Sequence, residues 1–341
     1  MTKQILVLAT LTMVTFSSCN NEDDFSIFVP RGEYQSGLLI SHEGNFEQGN
    51  ASVAYVDNNL QTVEKTIFSN VNGQPLGDTA QSMAFNGDFA YIILNVSNKI
   101  EVVDRYTFES VATIDTGLSN PRYMTFSNGK GYVTNWGDFT PDTDDYLAVI
   151  DLDENSVLST IPTSYLPEEI IAFGNRIYVA TGIFGMGNTV DVINTISDEV
   201  ETSITVGTSP NSLQFDNSGD LWVLSSENLV EINTTSNQIV KTIDFPDTIS
   251  SSSDLNYDNT SLYFYAEGSV YRIAQSSLEF PSETVLDNVN YYDMRVSNGF
   301  IFGLDAGDFT NEGTLSVYSL IDDSEIANLS LDIAPGEVYF N

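Results

Sequence analysis

One pattern of short apolar runs returns seven times along this chain, and it restricts the fold more than any other feature. The matching runs are 81–85, 122–126, 169–173, 211–215, 253–257, 292–296 and 336–340, and their last residues lie 41, 47, 42, 42, 39 and 44 residues apart. Residues 121–164 hold one complete unit. A first run ends at Phe126, a turn sits at Asn128-Gly129, and further runs follow at 131–134, 146–151 and 156–161, with a long loop before the third. Second runs recur at 90–94, 177–180, 221–224, 262–265 and 300–304, and the third runs 101–104, 148–151 and 191–194 end on a similar motif. Four short strands with tight turns and one long loop, repeated at roughly 40–45 residues, describe the blade of a β-propeller.

The first unit is incomplete in a way that decides the architecture. It has a second strand at 37–40, a third at 51–57 and a fourth at 62–68, but nothing before them reads as a first strand. The missing piece, PGEVYF, stands at 335–340. A ring of blades must close, and assembling one blade from both chain ends removes the exposed sheet edges. The expectation is an all-β, seven-bladed propeller of four-stranded blades over residues 35–341, with blade one shared between the termini.

Residues 1–18 lie outside that ring. Lys3 supplies a positive start, residues 5–16 an apolar stretch too short to span a membrane, and small residues precede Cys19, so the segment reads as a secretory signal. Cys19 is the only cysteine, which excludes a disulfide framework. An incidental cysteine is the plain reading; the sharper one is a lipobox whose cysteine becomes the acylated mature N-terminus. The acidic run 20–24 that follows reads as a tether extending to residue 34, and it resembles the export tag of Bacteroidota lipoproteins that reach the outer face of the outer membrane. With 11 basic against 48 acidic residues the formal charge is −37, which excludes nucleic acid and anionic lipid headgroups as natural partners.

The two faces of the ring differ. Asn-Gly pairs at 86–87, 128–129 and 298–299 suit two-residue hairpins and trim one face to bare turns. The other face carries loops of variable length: 42–50, 135–145, 182–188 and 305–313, with inter-blade segments 72–78, 117–123 and 287–293. A binding site belongs on that long-loop face. Its candidate contacts are Asn45, Phe46, Gln81, Arg122, Tyr123, Trp136, Asp138, Phe139, Phe184, Met186, Tyr291, Tyr292, Asp305 and Phe309. Any single aromatic among them can equally be packing between blades. Arg122 stands apart because cations are scarce here, and a ligand or carboxylate contact is expected of it. The G-D-F-T shared by 137–140 and 307–310 fits loop chemistry in which aspartates cap turns.

Enzyme signatures are missing. The single histidine, His42, leaves no metal cluster of histidines and would have to carry any Ser-His-Asp triad alone. No nucleophile elbow, P-loop or dinucleotide fingerprint follows a strand. Asp142, Asp144 and Asp145 match no EF-hand spacing and read as a solvated acidic loop, so no metal is expected.

The tetrapeptide Y-V-T-N at 132–135 and the repeats around it resemble the YVTN or YncE-like propellers over nearly all of the chain after its signal. More narrowly, EGNF at 43–46, LGDTAQSM at 76–83, KIEVVD at 99–104 and NPRY at 120–123 resemble a group of Bacteroidota surface lipoproteins that includes the BtuG-like propellers. The resemblance implies a non-enzymatic, monomeric lipoprotein of the outer membrane, exposed at the cell surface. It would capture a nutrient, cobalamin foremost, without a cofactor of its own, and pass it to a TonB-dependent transporter. Two other readings stay open: an adhesion or scaffold propeller with a protein or glycan partner, and a quinoprotein- or lactonase-like enzyme. Two tryptophans, no vicinal cysteines and one histidine weigh against the enzyme.

Anchoring through the sole thiol gives a direct expectation. Cys19→Ala releases the protein from the membrane fraction; unchanged retention, with no acyl label on the wild type, would refute the lipobox.

Overall fold

The computed structural model describes residues 30–138 and 144–341. The leader, Cys19, the acidic run and Phe139 lie outside these residues. Seven four-stranded antiparallel sheets form seven blades. The closing blade has the order Pro335–Phe340, Leu38–His42, Ser52–Val56, Val63–Glu64, with Leu38 opposite Phe340 and Ile40 opposite Val338. The shared blade read from the incomplete first unit is therefore the observed one.

Alternation along the strands explains how blades hold together. In Phe89–Leu94 of blade two, Tyr91 and Ile93 point to one side and pack with Met124, Val133 and Ala148 of blade three. Ala90, Ile92 and Leu94 point to the other side and pack with Leu39 and Val53 of blade one. The buried apolar residues divide into seven clusters, one across each seam between blades. A second strand is thus buried on both faces and reads as an unbroken apolar run, as in Leu221–Leu224. The outermost strand Ser156–Pro162 is mostly exposed. Each fully buried Val, Leu or Ile contributes roughly 1.5–3 kcal/mol, so the seams supply most of the driving force.

The Asn-Gly turns behave as their composition demands. Asn128 and Gly129 have φ of 51° and 75°, and Asn298 and Gly299 have 52° and 81°, the paired positive angles of a type I′ hairpin.

One element differs from expectation. The fourth strand expected at 62–68 pairs only at Val63–Glu64 and gives way to a short helix, Ile67–Asn72. Thr66, at φ 57°, turns the chain out of the ladder. A strand would send the neighbours Ile67 and Phe68 to opposite faces, whereas one helical turn drives both into the seam beside Leu76, Val103 and Phe108. Gly73, in the left-handed region, ends the helix with its N–H on the Ser69 carbonyl.

His42 sits where blade one meets blade seven. Its Nε2 accepts the Asp332 N–H at 3.3 Å, and Ser52 Oγ donates to Asp332 Oδ2 at 3.1 Å. Burial pushes the imidazole down to about 4, with Asp332 opposing.

Two outcomes follow from this closure. Deleting residues 335–340 uncovers the Leu38–His42 edge and part of two seams. A loss of several kcal/mol is expected, out of the roughly 5–15 kcal/mol of a typical domain; wild-type thermal melting would contradict the shared blade. His42 makes the fold acid-sensitive. Between about 4 and the ordinary histidine value of 6.5 the unfolded chain binds a proton that the folded chain refuses. Its share of stability, present at pH 7, is thus lost as pH falls through that window, by up to about 3 kcal/mol. Chemical denaturation at pH 7 and pH 4 should show a smaller loss in His42→Gln than in wild type; equal losses would remove His42 from the account.

Candidate functional site

The innermost strand of each blade enters from the long-loop face and ends at a tight turn, so its first residues ring the axis at the mouth. In five of these strands the pairing register shifts there, between Ala80 and Ser82, Pro121 and Met124, Pro167 and Ile170, Ser253 and Asn256, and Pro335 and Glu337. Such bulges re-aim side chains. The first four bracket Gln81, the pairs Arg122-Tyr123 and Glu168-Glu169, and Asp254, all of which line an axial cavity of about 260 Å³. Glu43, Tyr292, Asp293, Arg295 and Glu337 complete its charged and phenolic lining, so six carboxyl groups meet two guanidinium groups.

Two nodes organise the mouth. In the first, Arg122 donates to both oxygens of Glu168, at 3.0 and 3.1 Å, and to Gln81 Oε1. Its guanidinium carbon lies 4.1 Å from the Trp136 ring centroid, and Phe184 meets Trp136 edge-on at 6.4 Å. The carboxylate expected opposite Arg122 is thus one of the chain's own. In the second node the Tyr292 hydroxyl donates to Glu43 Oε1 at 2.8 Å, and Phe309 meets the Tyr292 ring edge-on at 5.0 Å. Asn45 Nδ2 donates to the Phe309 carbonyl at 2.9 Å, tying blade one to blade seven. Phe46 and Phe184 are 70% and 69% exposed, and Tyr292 and Phe309 42% each, so this face presents aromatic surface to solvent.

The remaining candidates are placed as follows. Tyr123 lines the cavity, 5.9 Å from the Arg122 guanidinium. Met186 accepts the Tyr165 hydroxyl at 3.6 Å within the loop that carries Phe184. Asp138 is exposed, its N–H on Asp144 Oδ2. Asp305 is used by its own loop, accepting from Asn290 and the Gly307 N–H. Tyr291 is buried in the seam between blades six and seven and hydrogen-bonds Ser316, away from the mouth. Asp308 accepts from Thr310 and Asn311, which holds it well below the usual carboxylate range and makes it the turn cap expected of G-D-F-T.

Deeper in the cavity, Arg295 pairs with Glu337 and approaches Asp293 at 4.0 Å. Glu169 accepts the Leu213 N–H at 2.7 Å. Burial pushes Glu169 and Asp293 up, and burial together with the neighbouring Asp293 holds Asp254 well above the usual carboxylate range. Glu43, Glu168, Glu169, Asp254, Asp293, Arg295 and Glu337 were not singled out from the sequence. For all but Glu43, which follows the second strand of blade one, the signal was there: they are charged residues in the first half of inner strands. His42, held in the blade closure, does not line this cavity.

A carboxylate cluster of metal-holding dimensions lies elsewhere, at the tight-turn end of blade five, where Asp216, Asp220 and Glu231 come within 4.8 Å of one another. Trp222 and Gln275 donate to Asp216, Asn233 to Asp220, and Lys241 pairs with Glu231, so these groups already have partners.

A family model described as "Domain of unknown function (DUF5074)" matches residues 36–295. No curated protein matches. Among solved structures, the periplasmic gluconolactonase PpgL of Pseudomonas aeruginosa superimposes with a TM-score of 0.65 at 11% identity, covering 89% of this chain and 99% of that one. A putative 6-phosphogluconolactonase of Bacteroides uniformis gives 0.65 at 13% identity, covering 89% and 98%. Hydrazine synthase of Kuenenia stuttgartiensis gives 0.61 at 16%, covering 81% and 95%. Likeness at these identities is likeness of fold.

Proposed function

The chain belongs to the DUF5074 family, and we propose that it is a non-enzymatic surface lipoprotein, anchored through Cys19, that captures cobalamin and hands it to a TonB-dependent outer-membrane transporter. The observation that carries this reading is the mouth. Exposed aromatic side chains on opposite sides, Phe184 beside Trp136 and Phe309 beside Tyr292, flank a polar centre of Gln81, Glu43 and Glu168. Cobalamin is a broad disc fringed with amides, and such a ligand needs apolar area together with a few placed donors and acceptors. A cavity of about 260 Å³ is too small to engulf it, so the disc would lie across the mouth above the cavity. The acidic lining suits its cationic cobalt centre. The likeness to BtuG-like lipoproteins at 43–46, 76–83, 99–104 and 120–123 supports the same ligand.

A hydrolytic reading, by analogy with the lactonase neighbours, has one observation in its favour: buried carboxyls displaced upward in a cleft are a common mark of acid–base sites. Turnover of a gluconolactone by the purified protein would replace capture with that reading.

Titration calorimetry with cyanocobalamin, and no added metal, tests capture. Binding should quench Trp136 more than the fully buried Trp222. Trp136→Ala or Arg122→Ala should weaken it by roughly 1–3 kcal/mol each, while Asn298→Ala on the opposite face leaves it unchanged. No heat and no retained cobalamin at tens of micromolar protein would favour the adhesion or scaffold reading.

A further inference from the structure

Arg122 is among the scarcest kinds of residue in this chain, yet its charge is engaged internally. Its side chain is only 12% exposed, and both prongs of its fork rest on Glu168, which belongs to the next blade. Such bidentate pairing fixes the plane of a guanidinium as well as its position. Trp136 stands over that plane at 4.1 Å, in contact range for a cation–π pair. The buried indole N–H of Trp136 makes a further, lesser contact with the same carboxylate. Glu168 therefore bears on Trp136 twice, through Arg122 and directly.

We propose that Glu168 is the positioning residue of the mouth: a carboxylate of blade four sets the posture of the blade-three indole through the guanidinium between them. The functional half of this inference rests on the capture reading of the mouth; the geometric half does not. With Glu168 removed, Arg122 keeps Gln81 and the more distant attraction of Glu43, neither of which fixes the guanidinium plane. The indole then loses the surface it stacks on.

Tryptophan fluorescence of the full-length protein separates the two halves. The spectrum of Trp136→Phe reports Trp222 alone, and subtracting it from the spectrum of the intact protein isolates Trp136. Glu168→Ala is expected to shift the Trp136 component and raise its quenching by acrylamide, while the Trp222 component stays as in wild type. Glu168→Gln, which keeps volume and an acceptor but no charge, should show a smaller change, and it decides the matter if the alanine variant fails to fold. Cyanocobalamin affinity should fall roughly tenfold in Glu168→Ala, as for loss of an interface anchor. Trp136 quenching identical to wild type in both variants overturns the proposal. So does a change shared equally by Trp222, which would mark general loosening of the ring. Released Trp136 with unchanged affinity overturns the functional half. A wild-type protein that binds no cyanocobalamin refutes capture and leaves the fluorescence result to stand by itself.

Discussion

Everything in this molecule depends on the antiparallel pairing of Pro335–Phe340 with Leu38–His42. No blade can bury both of its faces alone, because each apolar cluster is built half from one blade and half from the next. A row of such blades is satisfied only when the last meets the first. Closure converts an open array, with two hydrated sheet faces at its ends, into a ring in which every seam has two sides. The cost of ordering both chain ends is met at the seam of blades seven and one, where Leu38, Ile40 and Val338 pack with Leu304, Leu315 and Leu331.

How far the fold could be read beforehand follows from the same logic. Short apolar runs and the tight turns between them are local signals, and the first run of the unit recurs seven times, so blade number and the split blade were legible. Ile67 and Phe68 were not. Two adjacent apolar residues look like the end of a strand, and only the shape of the seam beneath them selects a helix. At the site, Arg122, Gln81 and Tyr292 stood out by type and position. Glu168 did not, because a carboxylate in a chain with so many is unremarkable until a neighbouring blade places a guanidinium against it. Tyr291 and Tyr292 show the limit most plainly: adjacent tyrosines in one loop, one buried in a seam and the other at the mouth.

The cavity resolves its own electrostatic problem unevenly. Six carboxyl groups around two guanidinium groups would be costly if all were charged away from water. Arg122 answers Glu168, and Arg295 answers Glu337 and Asp293. Asp254 accepts from Ser253 Oγ and Glu169 from the Leu213 N–H, with Arg295 acting on both from further off, and burial displaces both upward.

The register shifts at the mouth have a consequence for how such a ring can change. In a regular strand, every residue offered to the axis fixes, by alternation, which neighbours face the seams. A bulge at the opening of the strand breaks that dependence, and the residues at 81, 122–123, 168–169 and 254 can be exchanged without disturbing the apolar sequence below them. In those repeats the scaffold and its lining are thus written in separate parts. Relatives built on the same seams could carry unrelated linings, and a ring of this kind is a frame into which recognition chemistry is set blade by blade.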